Sequence, residues 1–479
     1  MRAQRSAKLI STKDRTKRRA HDAKKRGLTV VFFTFMLVGM MGFLALSLDL
    51  GYVATVKTEL KRATDAGALA GAGALVLGPE EALERVKEYI QFNSVGGRTV
   101  ADENITVELG HWDDQSRTFT PSEELPSAVR VQVNHPDQPL FFARVLGQED
   151  FDLADESVAM YQPRDIVLVL DCSASMNDDS ELRNVGTMGA TFVENNLATI
   201  YAQLGSPSYG SMQWDQALSS SWSNWSVRNY LGLNSIAYPY PSGSWSDYVN
   251  YVKGGNGQLP SEYRHRFGYL TFMNYLLERQ PEYSQTPDLW KTNEQPITAL
   301  KNSVTVFLAF LQQVDTDDRL GLAVYTADDG TATLEHELTA DFAAVEETSR
   351  HRQAGHYDRY TNIGAGIKEG REEIQEHGRA GAFKMVVLIT DGIANRPSNT
   401  TTARQYALDE AQLAADAGIP IVTISLGAGA DTDLMQQIAD LTGGLHFNVP
   451  GGQPVADYEE DLKQVFEDIA SDRPLKLVK

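Results

Sequence analysis

Four unbroken apolar runs punctuate the chain from residue 165 onward: DIVLVLD (165–171), RLGLAVYTAD (319–328), FKMVVLITDG (383–392) and PIVTISLGAG (420–429). Strands without polar alternation are buried on both faces, as in a parallel sheet. Helical spacing of apolar positions recurs between and after them, at 297–314, 363–377, 403–417 and 433–441, with a last stretch near 458–470. Alternation of such strands and helices predicts a doubly wound, mostly parallel α/β domain. Residues 100–161 follow another rule. ITVEL, RTFT and AVRVQV alternate apolar with polar and are separated by Pro, Asp and Gly, which predicts the strands of a small β-rich domain. The turn-forming YQPRD (161–165) marks the boundary between the two.

Nearer the start, residues 27–48 carry no charge. As a helix they span about 33 Å, enough to cross a bilayer. The preceding 26 residues hold eleven Lys or Arg against Asp14 and Asp22, a net of +9, so the rest of the chain totals −30. The positive-inside rule then places the N-terminus in the cytoplasm and the bulk of the chain outside it. A cleaved signal peptide fits less well, because its apolar region is ~7–15 residues with a small-residue site close behind. Here the first such run, ALAGAG, lies some twenty residues farther on. The acidic bulk argues against nucleic acid as a partner. A single cysteine, Cys172, permits no internal disulfide.

Residues 53–77 are alanine-rich and free of proline, so the helix is expected to continue, with Gly67 and Gly71 at a spacing that admits another helix closely. The apolar span, the DLG that follows it and the run ATDAGALAGA together resemble the TadE/TadG-like proteins of bacterial Tad (Flp) pilus assembly. The resemblance covers about fifty residues. It departs at one place: pilin-like relatives carry a glutamate shortly after the processing glycine, whereas Leu28 to Phe32 supply Leu, Thr, Val, Val and Phe. That departure speaks against prepilin-type processing.

The first apolar run ends in DCSAS, and the third in ITDG. Ligands in doubly wound sheets bind beyond the carboxyl ends of the strands, so Asp171 and Asp391 are expected at one crevice. Asp171, Ser173 and Ser175 alternate along a strand tip, and their hard oxygen donors suit Mg²⁺, with Mn²⁺ or Ca²⁺ as alternatives, rather than zinc. With DCSASM, the threonine of TNIGAGI and ITDG in this order, the domain resembles a von Willebrand factor type A domain with a metal-ion-dependent adhesion site. The resemblance implies that Ser173, Ser175 and Thr361 ligate a divalent cation. It also implies that Asp171 and Asp391 stand close by or hold ligating waters, and that a partner's Asp or Glu completes the coordination. Ala174 replaces a common glycine, a small change.

Competing chemistries find little support. A nucleophilic serine needs a base, yet no G-x-S-x-G elbow occurs and none of the nine histidines lies in a catalytic motif. No phosphate-binding G-x-x-x-x-G-K-[ST] is present. His111, Trp112 and His135 lack metal-site spacing and are expected as core or surface residues. HYDRY (356–360), just before Thr361, could place His356 or Asp358 near the metal but reads better as a solvated loop; the DD pair at 178–179 lacks calcium-loop spacing, and DDG (328–330) reads as a turn. Cys172 is expected as a small core residue.

Between the metal motif and the helix that should follow it lies an insertion, 177–295, with five of the six tryptophans and eleven of the nineteen tyrosines. It is expected to build its own core, with 266–280 as a supporting helix. SSSWSNW and YPYPSGSW are expected as aromatic loops for protein or glycan contact. Grafted at the C-terminal end of a strand, the insertion should stand beside the metal face.

The expected organisation is therefore a basic cytoplasmic tail (1–26), a transmembrane helix (27–48), a helical stalk (49–78), a small α+β domain (79–162) and the type A domain (163–479). The expected function is metal-dependent protein binding, in adhesion or pilus assembly, by a non-enzymatic protein anchored in the bacterial inner membrane with its bulk periplasmic or extracellular. The partner would be a pilus component or another protein. A structural anchor that leaves the metal site unused is the alternative, and enzyme activity housed in the insertion the more distant one.

Overall fold

The computed structural model describes residues 4–113, 116–122, 126–255, 257–312, 316–325, 331–427, 429–450, 455–471 and 474–479. They form two compact units, one running to Met160 and taking in Leu475–Lys479, the other covering Tyr161–Pro474. The last five residues thus belong with the first unit, so the second domain stops short of the expected 479. The turn DDG at 328–330 lies outside the described residues.

In the first unit, helix α1 (Gln4–Ala74) runs without a break through the apolar span and the alanine-rich segment. It is long and apolar enough to cross a membrane. From Val30 to Leu50 its large apolar side chains are exposed, whereas Val56, Leu60, Ala63, Ala68 and Ala72 are buried. The change comes where α2 (Pro79–Phe92) and the sheet begin to cover it. An ideal Cβ on Gly67 would lie 2.6 Å from Ile90 Cγ1, and one on Gly71 only 2.3 Å from Val86 Cγ2. The small-residue spacing therefore serves packing inside the unit, against α2. The strands β1 (Ile105–Asp113), β2 (Thr118–Pro121), β3 (Ala128–Pro139) and β4 (Asp150–Tyr161) form an antiparallel sheet that the C-terminal strand Leu475–Leu477 joins beside β4. His135 is buried with Nε2 3.1 Å from Val95 O, and Trp112 packs on the cluster of Ala128, Val158 and Met160.

In the second unit the first strand, β5 (Arg164–Asp171), is buried at all eight positions. The insertion follows, with helices α3 (Val185–Met188), α4 (Ala190–Gln203), α5 (Asn224–Tyr230), α6 (Trp245–Val252) and α7 (Tyr269–Arg279) and a short pair of strands, β6 (Gln216–Ala217) and β7 (Arg266–Phe267). It has its own core. Helix α7 is buried at ten of its eleven residues, and Phe272 meets Trp245 and Tyr248 at ring distances of 5.2 and 5.1 Å.

The displaced helix, α8 (Ile297–Leu311), then resumes the alternation. It leads through β8 (Arg319–Tyr325), β9 (Ala332–Thr339), α9 (Phe342–Arg350), α10 (Ile363–His377), β10 (Phe383–Thr390), α11 (Thr400–Asp416), β11 (Ile421–Leu426), α12 (Thr432–Thr442), β12 (His446–Val449) and α13 (Val455–Ser471). The sheet order is β12-β11-β10-β5-β8-β9, parallel except for β9. One face is covered by α8, α9 and α13, the other by α10, α11 and α12. The sheet is doubly wound as expected. The antiparallel edge strand β9 (ATLEHELT) and the short β12 (HFNV) add to the four apolar runs; both are largely half-buried and so lack the continuous apolar signature.

Candidate metal centre

Strand β5 sits in the middle of the sheet, and parallel pairing of Leu170 with Ile389 brings the tips of β5 and β10 side by side. The chain beyond each tip turns polar at once, so Asp171 and Asp391 emerge at neighbouring positions. Asp171 is fully buried; its carboxylate accepts hydrogen bonds from the Ser173 N–H (2.8 Å) and the Thr390 hydroxyl (2.8 Å). These bonds aim the loop. Ser173 Oγ then lies 3.0 Å from Ser175 Oγ, and the Ser175 hydroxyl donates to Asp391 Oδ1 at 2.6 Å.

The third hydroxyl arrives from the other side, where Thr361 stands just before α10. Its N–H donates to Asn395 Oδ1 (3.1 Å), and the Asn395 N–H donates back to Thr361 O (3.0 Å). So held, the Thr361 hydroxyl reaches Ser173 Oγ at 3.3 Å. An ideal Cβ on Gly392 would stand 3.3 Å from Thr361 Oγ1 and 3.4 Å from Ser175 Oγ, so a side chain there would crowd both hydroxyls. The geometry thus gathers Asp171, Ser173, Ser175, Thr361 and Asp391 into one cluster. Thr390 and Asn395 aim two of the five: Thr390 lies within ITDG but its bond to Asp171 shows only in the structure, and Asn395, outside the motifs, could be recognised only in three dimensions.

Burial pushes the Asp391 carboxyl well above the usual carboxylate range, and the charge of Asp171 pushes it further. Asp171 is raised as well, chiefly by burial, against the pull of its hydrogen bonds from Ser173 and Thr390. Among the described ion pairs neither carboxylate meets an Arg or Lys. Two buried carboxylates with no ion-paired Arg or Lys among the described residues, gathered with three hydroxyls, form a hard-oxygen set that a divalent cation would neutralise. Among the described residues no group of three or more His, Cys, Asp or Glu is placed to hold a metal ion, so the donors here are hydroxyls and carboxylates rather than a zinc-type set.

The cluster opens into a cavity of about 410 Å³. Ser175, Thr361 and Asp391 line one part of it; Asp179, Asn184 and Thr187, from the first turns of the insertion, line another. The insertion therefore stands beside this face. The Asp179 carboxyl is pushed up to about 6 by burial, whereas Asp178 pairs with Arg183. Cys172 is buried within the sheet core and its thiol is strongly raised by burial. HYDRY differs from expectation at His356. Its ring is buried 4.8 Å from that of Tyr283, and burial together with Arg352 lowers the imidazole to about 4. It lines a separate cavity with Trp290 and His351.

Comparison with known proteins agrees with this architecture. Residues 27–74 match the model "Putative Flp pilus-assembly TadE/G-like", residues 66–159 match "Putative Tad-like Flp pilus-assembly", and residues 290–459 match the von Willebrand factor type A domain. The last match begins in the final residues of the insertion and so leaves out β5 and DCSAS. No curated protein matches the chain. Similar solved structures include an aerotolerance-related membrane protein from Bacteroides fragilis, at 16% identity over 36% of this chain and 89% of that one, TM-score 0.27. Another is a von Willebrand factor type A protein from Catenulispora acidiphila, at 11% identity over 76% and 48%, TM-score 0.30. A third is the pilus adhesin SpaC from Lactobacillus rhamnosus GG, at 12% identity over 77% and 34%, TM-score 0.34. The chain spans about half of the second and a third of the third. Taken in order along one polypeptide, the three family matches and the sheet topology give this membrane-anchored chain a TadE/G-like N-terminal region joined to a von Willebrand factor type A domain.

Proposed function

We propose that the chain is a non-enzymatic adhesion or pilus-assembly protein that captures a partner through a divalent cation. Ser173, Ser175 and Thr361 would supply direct oxygens to the ion, with Asp171 and Asp391 beside it. An ion held mainly by neutral hydroxyls keeps excess positive charge, which a partner's Asp or Glu would meet. Mg²⁺ suits the compact hydroxyl set, with Mn²⁺ and Ca²⁺ as alternatives. The observation that carries the reading is the gathering of three hydroxyls with two buried carboxylates that no Arg or Lys ion-pairs among the described residues, beside an open cavity. The basic residues before the span favour a cytoplasmic N-terminus and an extracytoplasmic type A domain. The inner membrane of a bacterium is the setting that fits, and a pilus component the partner that the N-terminal matches favour.

Crosslinking in intact cells, with and without chelator, compared between the wild type and Asp171→Ala, tests this. Metal-dependent capture of one protein, lost together with cation affinity in the variant, is the expected result. Loss of cation affinity with undiminished capture would instead favour a structural anchor that leaves the metal site unused.

A further inference from the structure

The sequence DLG after the apolar span has so far no role. In the structure Asp49 is buried, and its carboxylate accepts four backbone hydrogen bonds from one turn. The Phe141 and Phe142 N–H groups reach Oδ1 at 3.0 and 3.2 Å, and the Phe142 and Ala143 N–H groups reach Oδ2 at 3.1 and 2.7 Å. Tyr52 adds an edge contact to Phe141, with ring centroids 4.9 Å apart. The turn so pinned begins the short helix Ala143–Leu146. It presents Phe141 at 53%, Phe142 at 45% and Val145 at 85% exposure, with Arg144 exposed among them. Three adjacent large apolar groups in water are costly and call for a cover.

We propose that this turn, Phe141–Val145, is a second membrane-contacting element: a wedge that enters the lipid interface beside the transmembrane helix and is held at that depth by Asp49. The cover is identified by position. Asp49 is the first charged residue after the span, so groups hydrogen-bonded to its carboxylate lie at the edge of a hydrocarbon core about 30 Å thick. Apolar groups of interfacial elements enter about 5–10 Å below the headgroups. Aromatic rings suit that layer, and Arg144 suits lipid phosphate. The turn cannot drift away, because Asp49 sits on the same continuous helix that crosses the bilayer. The consequence is an anchor with two contacts, which restricts tilt and rotation of the helix at its outer end.

The buried Cys172 leaves an introduced cysteine free for selective labelling. Full-length protein carrying Val145→Cys would be labelled with an environment-sensitive fluorophore and placed in lipid nanodiscs, with and without lipids spin-labelled near the headgroup. Leu48→Cys serves as the membrane reference. Phe92→Cys serves as the aqueous one: Phe92 is 74% exposed and two residues from Ile90, which meets Gly67, about 27 Å beyond Asp49 at ~1.5 Å per residue. The expected result is blue-shifted emission at 145, quenched by the spin label as strongly as at 48, while 92 stays unquenched. Adding Asp49→Ala should weaken quenching at 145 and leave 48 unchanged. Emission at 145 that matches 92 would overturn the proposal, as would a blue shift that the lipid label fails to quench, since a protein would then be the cover. Undiminished quenching in Asp49→Ala would overturn the role of Asp49.

Discussion

Asp391→Asn should separate the stability of the type A domain from its cation response, and in opposite directions. The carboxyl of Asp391 is buried, raised by burial and by Asp171, and not ion-paired to Arg or Lys among the described residues, so in the absence of cation its charge opposes folding. Asparagine keeps an oxygen for the Ser175 hydroxyl, now 2.6 Å from Oδ1, and removes the charge. A buried polar group lacking its partner costs about 1–3 kcal/mol, and a charge more, so without cation the variant should be more stable by about that much. A domain this size shifts by roughly 2–4 °C per kcal/mol, so melting without cation should rise by at least ~2 °C. The wild type should gain about 2.7 kcal/mol at a cation concentration 100 times its Kd, a rise of about 5–10 °C. The variant should gain little.

The assay is thermal melting of the full chain in chelator and in Mg²⁺, followed by tryptophan fluorescence. Five of the six tryptophans lie between 177 and 295, so the signal reports the second unit. The variant should melt above the wild type in chelator and below it in Mg²⁺. Melting below the wild type in chelator, or a rise with Mg²⁺ equal to the wild type's, would refute the reasoning that the carboxylates are held in tension for a cation.

Other consequences follow from the packing and the charges. Arg164 is wholly buried, with Nη2 and Nε on Asp318 Oδ2 at 3.0 and 3.2 Å and Nη1 on the Ile469 and Ala470 carbonyls. Arg164→Ala strands the Asp318 charge and should cost about 3–5 kcal/mol in denaturant unfolding of the second unit. Gly71→Val drives methyl groups toward Val86 and should cost about 1–3 kcal/mol, read by thermal melting of the first unit. His356 titrates near 4 in the fold against 6.5 unfolded, so its contribution is whole above 6.5 and is lost as pH falls toward 4. The loss is on the order of 2 kcal/mol, and His356→Phe should flatten that limb of the stability–pH curve. Asp179 acts with the opposite sign: its folded carboxyl is raised to about 6, so its contribution is lost as pH rises through that value, and Asp179→Asn should remove the loss.

The legible parts of this chain were those where one local rule dominates. The four inner strands show as unbroken apolar runs because both faces are covered, while β9 reads ATLEHELT because an edge strand keeps polar groups toward water. Asp171, Ser173 and Ser175 stand out because an apolar strand ends in them. Thr361 was reached through its resemblance alone, and its partner Asn395 through neither route, since a contact from just before α10 to the loop after β10 leaves no spacing signal. Inside the insertion, aromatic density announced a core but not its members. Trp245 is buried and Trp225 exposed, yet each lies beside serine in the first turn of a short helix, where the sequence suggested aromatic loops. Which aromatic turns inward there depends on tertiary contacts, as with Trp245 Nε1 donating to Ile236 O.

The insertion is fastened where it meets the parent fold, and this gives it a directing role. The Asp179 N–H donates to Gln295 O (3.1 Å) and the Gln295 N–H donates to Ser180 Oγ (2.8 Å), so the entering and leaving strands of chain are closed on each other. The sheet register is thereby insulated from the many residues between them, and the first turns of the insertion are fixed on the cavity wall. Partner selection should then be adjustable there without disturbing the cation. Thr187 is exposed on α3 and lines the cavity without belonging to the hydroxyl and carboxylate cluster. Thr187→Trp should narrow the mouth and reduce metal-dependent crosslinking to the partner by roughly tenfold, about 1.4 kcal/mol, while the Mg²⁺-induced rise in melting temperature stays at the wild-type value. Capture equal to the wild type's would mean that the partner approaches from the β10 and β11 side and that the insertion merely borders the site; loss of the melting shift would mean that the wall and the cation site are one unit, against the separation argued from the closed hydrogen-bond pair.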